Sequence, residues 1–182
     1  MPLAAAVKEL SATFNGQLLQ PGDAGYDDAR RVHNGLIDKR PALVACCRGT
    51  ADVVDAVKLA RSLSLDIAVR GGGHNVAGRA ALDGGVMIDL APMRGIHVNP
   101  KARTARAQGG VRWNEFNRET QLHALATTGG VVGTTGIAGL TLRELSSNDS
   151  MTAVFRSAVD RSVEEAEADG CRTAQSLSRR SG

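Results

Sequence analysis

The sequence predicts an α+β fold, an α/β-like N-terminal βαβ unit followed by a mixed sheet, and three observations carry that prediction. Two short apolar runs, one opening at Pro41 with ALVACC and one from Asp66 to Val69, flank a segment of helical spacing, so strand, helix and strand succeed one another within about 30 residues. Further on, Val86 to Leu90 reads as another strand, and Ile96 to Asn99 and Thr104 to Gln108 read as a hairpin turned at Asn99-Pro100-Lys101-Ala102. Glycine is concentrated between these elements: 14 of the 21 lie from Gly71 to Gly139. The middle third therefore needs unusual backbone more than it needs side chains.

The elements follow in order. Leu3, Val7, Leu10 and Phe14 recur at helical spacing, which predicts a first amphipathic helix ended near Asn15-Gly16. A Pro-Gly-Asp turn and a short polar helix around Tyr26 to Val32 come next. Thr50 is placed to cap a helix carrying Val53, Val57 and Ala60 on one face and ending near Ser62. Arg112 to Leu122 is expected to be helical, with Trp113, Phe116 and Thr120 on one side. In the last forty residues, Met151, Phe155, Ala158 and Ser162 are expected to line one helix face, and the SLSRRSG end is expected to be disordered. Three segments result: a helical lead-in over 1–36, a glycine-rich domain over 37–142 and a polar tail over 143–182.

Composition narrows the function classes. With 182 residues, 42% hydrophobic and 23% charged, the chain has the make-up of one soluble domain with a tail. It holds only five aromatic residues, too few for stacking platforms on single-stranded nucleic acid. The net charge of +3 is spread without a dense basic run, so neither nucleic acid nor a membrane surface is an expected partner. The longest uncharged stretch, Thr120 to Leu142, holds five Gly and six Thr and is too polar to span a bilayer. MPLAAAVKEL lacks the form of a signal peptide, and three cysteines without a Cys-x-x-Cys fit a reducing, cytoplasmic setting. Adjacent Cys46 and Cys47 on a buried strand are expected to pack rather than to cycle between redox states. No Cys-x-x-Cys is present, and His33, His97 and His123 show no metal spacing, so no metal is expected.

The glycine loops carry the chemistry. Arg70-Gly71-Gly72-Gly73-His74-Asn75 follows directly on a strand, and Gly78 lies four residues past His74. Successive N–H groups in such a turn form a nest for anionic oxygens, with phosphate esters as natural guests. Taken alone, three glycines also have the composition of a flexible surface turn. Two better-known phosphate motifs fail here. Gly73 and Gly78 are spaced as in a P-loop, but Arg79 and Ala80 stand where Lys and Ser/Thr are required. Gly71-x-Gly73 is followed by Val76 where a dinucleotide fingerprint needs its third glycine.

VRGGGHNVAG (Val69 to Gly78), GGVMIDLAPMRGIHV (Gly84 to Val98), ARTARAQGGVRWNEF (Ala102 to Phe116) and LATTGGVVGTTGIAGLTL (Leu125 to Leu142), with the lead-in GYDDARRVHNGLIDKRPALVACC, resemble FAD-linked oxidases. The group is the p-cresol methylhydroxylase/vanillyl-alcohol oxidase type of FAD-binding domain, in its berberine-bridge-enzyme-like branch. The resemblance covers about residues 20 to 142 and implies a partial domain of that type.

It further implies that Arg70 to Asn75, with Gly78, wraps the FAD pyrophosphate, and that His74 bonds covalently to a ring methyl of the flavin. A neutral imidazole nitrogen is a suitable nucleophile, and the substituent makes the flavin a stronger oxidant. Gly129, Gly130, Thr134, Thr135, Gly136 and Gly139 would line the cofactor through backbone groups and small hydroxyls; their alternative is a tight buried turn. Some relatives add a second link through a cysteine, at the place Val132 holds here, so one link is expected. His33, His97 and His123 match no flavin motif. In complete members of the family a hydride passes from an alcohol, sugar or amine carbon to FAD, with oxygen as acceptor. The motifs stop at Leu142, and no catalytic residue or substrate is carried over. The alternative expectation is a truncated or frame-disrupted relic without turnover.

Overall fold

The computed structural model describes residues 2–144, and the helix face expected from Met151, Phe155, Ala158 and Ser162, like the SLSRRSG end, lies outside them. The contacts below all belong to the compact unit that ends at Leu140. Helix α1 (Leu3–Leu10), strand β1 (Gln17–Leu19) and the one-turn helix α2 (Tyr26–Ala29) lead into β2 (Leu43–Cys46), α3 (Thr50–Ser62), β3 (Ile67–Arg70) and β4 (Val86–Asp89). Then come the hairpin β5 (Ile96–Asn99) and β6 (Thr104–Ala107), helix α4 (Trp113–Gln121), a single turn α5 (Ile137–Gly139) and a π-helical turn, Leu140–Glu144. Among the described residues no helix is long and apolar enough to cross a membrane.

Four strands form one sheet in the order β1-β2-β4-β3. β2, β4 and β3 run parallel, and β1 adds an antiparallel edge, Leu18 opposite Ala45. The mixed α+β character is as expected, and α3 is the crossover of the βαβ unit. The order is not the simplest one, because β4 enters between β2 and β3 rather than beginning a later sheet. Its side chains explain this: VMID is buried at every position, as LVAC of β2 is, and a strand buried on both faces belongs in the middle. IAVR of β3, with Ile67 and Val69 partly in solvent, takes the edge.

Pleating divides the core. Leu43, Ala45, Val86 and Ile88 face α1 and α3, where Ala6, Val7, Ala56, Leu59 and Ala60 cover them. Val44, Cys46 and Met87 face the other way, onto Tyr26 and Ala81. Tyr26 donates its phenolic hydroxyl to the Pro41 carbonyl at 2.6 Å, so its buried polar end is satisfied. Each fully buried aliphatic side chain contributes about 1.5–3 kcal/mol, the main stabilising term in a core so poor in aromatics.

The start of α3 departs from the sequence expectation. Thr50 is the first helical residue, not the cap; Gly49 precedes the helix, without a side-chain cap. Buried Asp52 ties the region together instead, accepting the N–H groups of Arg48 at 2.8 Å and Asn15 at 3.0 Å. Burial alone would raise its carboxyl pKa, but these backbone bonds outweigh that and hold it below the ordinary range. Cys46 and Cys47 are buried free thiols, pushed up by burial to about 11 and about 12.

Candidate functional site

Strand register builds the first loop. Arg70 at the end of β3 lies beside Asp89 at the end of β4, and neighbours in a parallel register project to the same side. Asp89, buried, accepts Nε of Arg70 at 2.9 Å and Nη2 at 2.8 Å, a two-pronged pair, while Arg70 Nη1 donates to the Arg31 carbonyl at 2.6 Å. The Arg70 guanidinium therefore fixes the strand end from which the glycines spring. Gly73 and Gly78 have φ of +71° and +66°, the left-handed region, and both are buried. Gly78 is pressed against Ile37, and Asn75 turns its side-chain oxygen back to accept the Arg79 N–H at 3.0 Å.

The second run is built on α4. Its backbone returns along the helix start: Trp113 N–H donates to the Thr135 carbonyl at 3.1 Å, Asn114 N–H to the Gly133 carbonyl at 2.9 Å, and Ile137 N–H to the Val111 carbonyl at 2.9 Å. Gly129 and Gly130 lie on the Trp113 indole; a Cβ at Gly129 would fall 2.3 Å from the ring. Thr134, Val131, Val132 and Gly139 are exposed.

The two runs meet. A Cβ on Gly72 would stand 2.2 Å from the Gly136 nitrogen, and one on Gly136 would stand 2.3 Å from the Gly72 nitrogen. Only two glycines allow that crossing. Beside it, half-buried His74 has Nδ1 at 3.5 Å from the Thr135 hydroxyl, and its ring is stacked on His33, centroids 4.0 Å apart and planes 11° apart. Of the residues expected to form the site, Gly71, Gly72, Gly73, His74, Thr135 and Gly136 are thus gathered at one place. Gly129 and Gly130 support the second run from behind, on the indole. Among the described residues, no group of three His, Cys, Asp or Glu side chains is arranged to hold a metal ion.

The residues present fit a phosphate-bearing cofactor. No acceptor among the described residues takes the N–H of Gly71, Gly72 or Gly73, and backbone N–H groups in glycine turns are donors of the kind that anionic oxygens take. A family model described as an FAD-binding domain matches residues 41–170. The chain belongs to this FAD-binding domain family. The family match runs past Leu142, where the sequence motifs stop. The family's relatives include (R)-6-hydroxynicotine oxidase of Paenarthrobacter nicotinovorans, 35% identical over 130 residues, 71% of this chain and 28% of that protein. Among solved structures, 6-hydroxy-D-nicotine oxidase from Arthrobacter nicotinovorans is similar with a TM-score of 0.69 at 34% identity, over 77% of this chain and 29% of that one. A berberine-bridge-enzyme-like protein of Physcomitrella patens is similar with a TM-score of 0.71 at 25% identity, over 78% and 30%. The chain spans less than a third of the length of each of these relatives.

Sequence reasoning passed over three contributors. In the sequence Asp89 reads as part of a strand, Trp113 as helix packing, and Arg31 to Asn34 as the end of a short polar helix and a lead-in, although the helix itself stops at Ala29. An acidic residue ending the apolar strand VMID was the available signal for the first. The other two depend on contacts between distant segments, which local pattern does not encode.

Proposed function

We propose that this FAD-binding domain cradles FAD between its two glycine runs and joins it covalently through His74 alone. The domain then serves an oxidoreductase that takes a hydride from an alcohol, sugar or amine carbon, with oxygen as the final acceptor. The observation that carries the reading is the crossing of Gly72 and Gly136 beside a half-buried histidine. The N–H groups of Gly71 to Gly73, without an acceptor among the described residues, suit the pyrophosphate, and the Thr135 hydroxyl helps to orient the His74 ring. FAD, when bound, supplies the two-electron acceptor chemistry. Joining an imidazole nitrogen to a ring methyl carbon removes one hydrogen from each partner; these two hydrogens, with their two electrons, pass to dioxygen and give hydrogen peroxide. Val132 offers no sulfur for a second bond.

The test is denaturing electrophoresis after incubation of the full chain with FAD. A flavin-fluorescent band is expected for the unaltered protein and is expected to vanish in His74→Ala. A band persisting in that variant would show that another residue carries the link, and no band in either would end the covalent reading.

A further inference from the structure

His33 precedes residues 41–170, which the family model matches, and belongs to a segment without apolar periodicity, yet that segment is fastened to the glycine loop. The Arg31 carbonyl accepts from Arg70, the His33 N–H donates to the Gly73 carbonyl at 3.0 Å, and Asn34 Nδ2 donates to the Val76 carbonyl at 3.2 Å. Residues 31–34 thus form a strap running beside residues 70–76. At its centre the His33 ring lies nearly parallel to that of His74 at 4.0 Å, covering one face while its own outer face is exposed. The Thr135 hydroxyl meets the same ring at an edge.

From this arrangement we infer that His33 is a positioning residue for flavin attachment: its ring holds the plane of the His74 imidazole so that a ring nitrogen is aimed along the line of bond formation. The inference rests on the proposed His74 link. Rotation about the side-chain bonds of a half-buried histidine is otherwise limited mainly by its neighbours, and misalignment of a nucleophile lowers the rate without altering what is bound. The contact that matters is the flat ring, not the His33 nitrogens. An aromatic hydrocarbon ring at position 33 should therefore serve nearly as well.

The experiment follows the rate at which covalent flavin appears, by denaturing fluorescence and intact mass, after FAD is added to the apo full chain. The unaltered protein, His33→Ala and His33→Phe are compared, with non-covalent FAD retention measured on a parallel native sample and folding checked by circular dichroism. His33→Ala is expected to slow attachment by about 2- to 10-fold, the worth of one ring stack, while retaining FAD. His33→Phe is expected to restore the rate. Attachment at the full rate in His33→Ala overturns the positioning role and leaves the His74 link standing. Equal loss in His33→Ala and His33→Phe also overturns it, since the nitrogens of His33 would then be what matters. Absence of covalent flavin in the unaltered protein removes the His74 reading itself, and this inference with it.

Discussion

The two glycine runs meet where Gly72 crosses Gly136, but they are held by opposite means. The first is anchored by charge: the Arg70–Asp89 pair ties its root, and a strap of backbone and side-chain bonds runs along its side. The second carries no ion pair among its described residues and rests on the Trp113 ring, on backbone bonds to α4 and on the crossing with Gly72. Their glycines differ accordingly. Gly73 and Gly78 are needed for left-handed backbone, whereas Gly72, Gly129 and Gly136 are needed because something lies where a Cβ would go. Glycine content alone does not distinguish these two demands, and a substitution exposes them differently.

The largest effect should come from the root of the first run. In Asp89→Ala the Arg70 side chain, only 16% exposed, loses both carboxylate contacts, and an unpaired buried charge costs about 3–5 kcal/mol. Urea unfolding monitored by circular dichroism measures this directly. A loss below about 1 kcal/mol, the level of a surface pair, would break the contrast drawn between the two runs.

The crossing comes next. Gly136→Ala places a methyl 2.3 Å from the Gly72 nitrogen, so one backbone must move. The first run is fixed by its ion pair, and the second should yield, at a cost of about 1–3 kcal/mol, with FAD affinity falling as the runs separate. Fluorescence titration of FAD against the apo protein is the check. Unchanged affinity with lowered stability would mean that the crossing is packing only and that the cofactor depends on the first run.

Much of the fold beneath this contrast is legible in the sequence. The buried strands LVAC and VMID, the hairpin and α4 follow from apolar runs, turn residues and helical spacing, whereas His74 stands out through the family resemblance of the loop that holds it. What was not legible depends on partners far apart in the chain. Strand β1, with three residues and no alternation, has too short a pattern to read, and it exists because β2 offers it an edge. The insertion of β4 between β2 and β3 is a choice among several parallel orders that local sequence does not rank. His33 lies in a polar stretch whose only local message is that it must run over the surface. That it runs over the glycine loop is decided by the reach of Arg70 to the Arg31 carbonyl.

The smallest effect is expected at Trp113, although it is among the largest buried side chains. Two terms oppose each other in Trp113→Phe. Losing part of the fused ring gives up contact with Gly129 and Gly130 and opens a small void, roughly 1–2 kcal/mol by comparison with full aromatic truncations. Against that, the indole Nε1 is buried with no hydrogen-bond partner among the described residues, and removing such a donor returns about 1–3 kcal/mol. The phenyl ring can keep the edge-to-face contact with Phe116, now at 5.9 Å. The net change should lie within about 1 kcal/mol of zero, so the second run should keep its platform while the lone donor disappears. Equilibrium unfolding of Trp113→Phe, followed by far-ultraviolet circular dichroism because the tryptophan signal is lost, gives the number. A loss well above about 3 kcal/mol would show that the indole N–H has an acceptor in solution, and that the second run, like the first, is held by a polar tie.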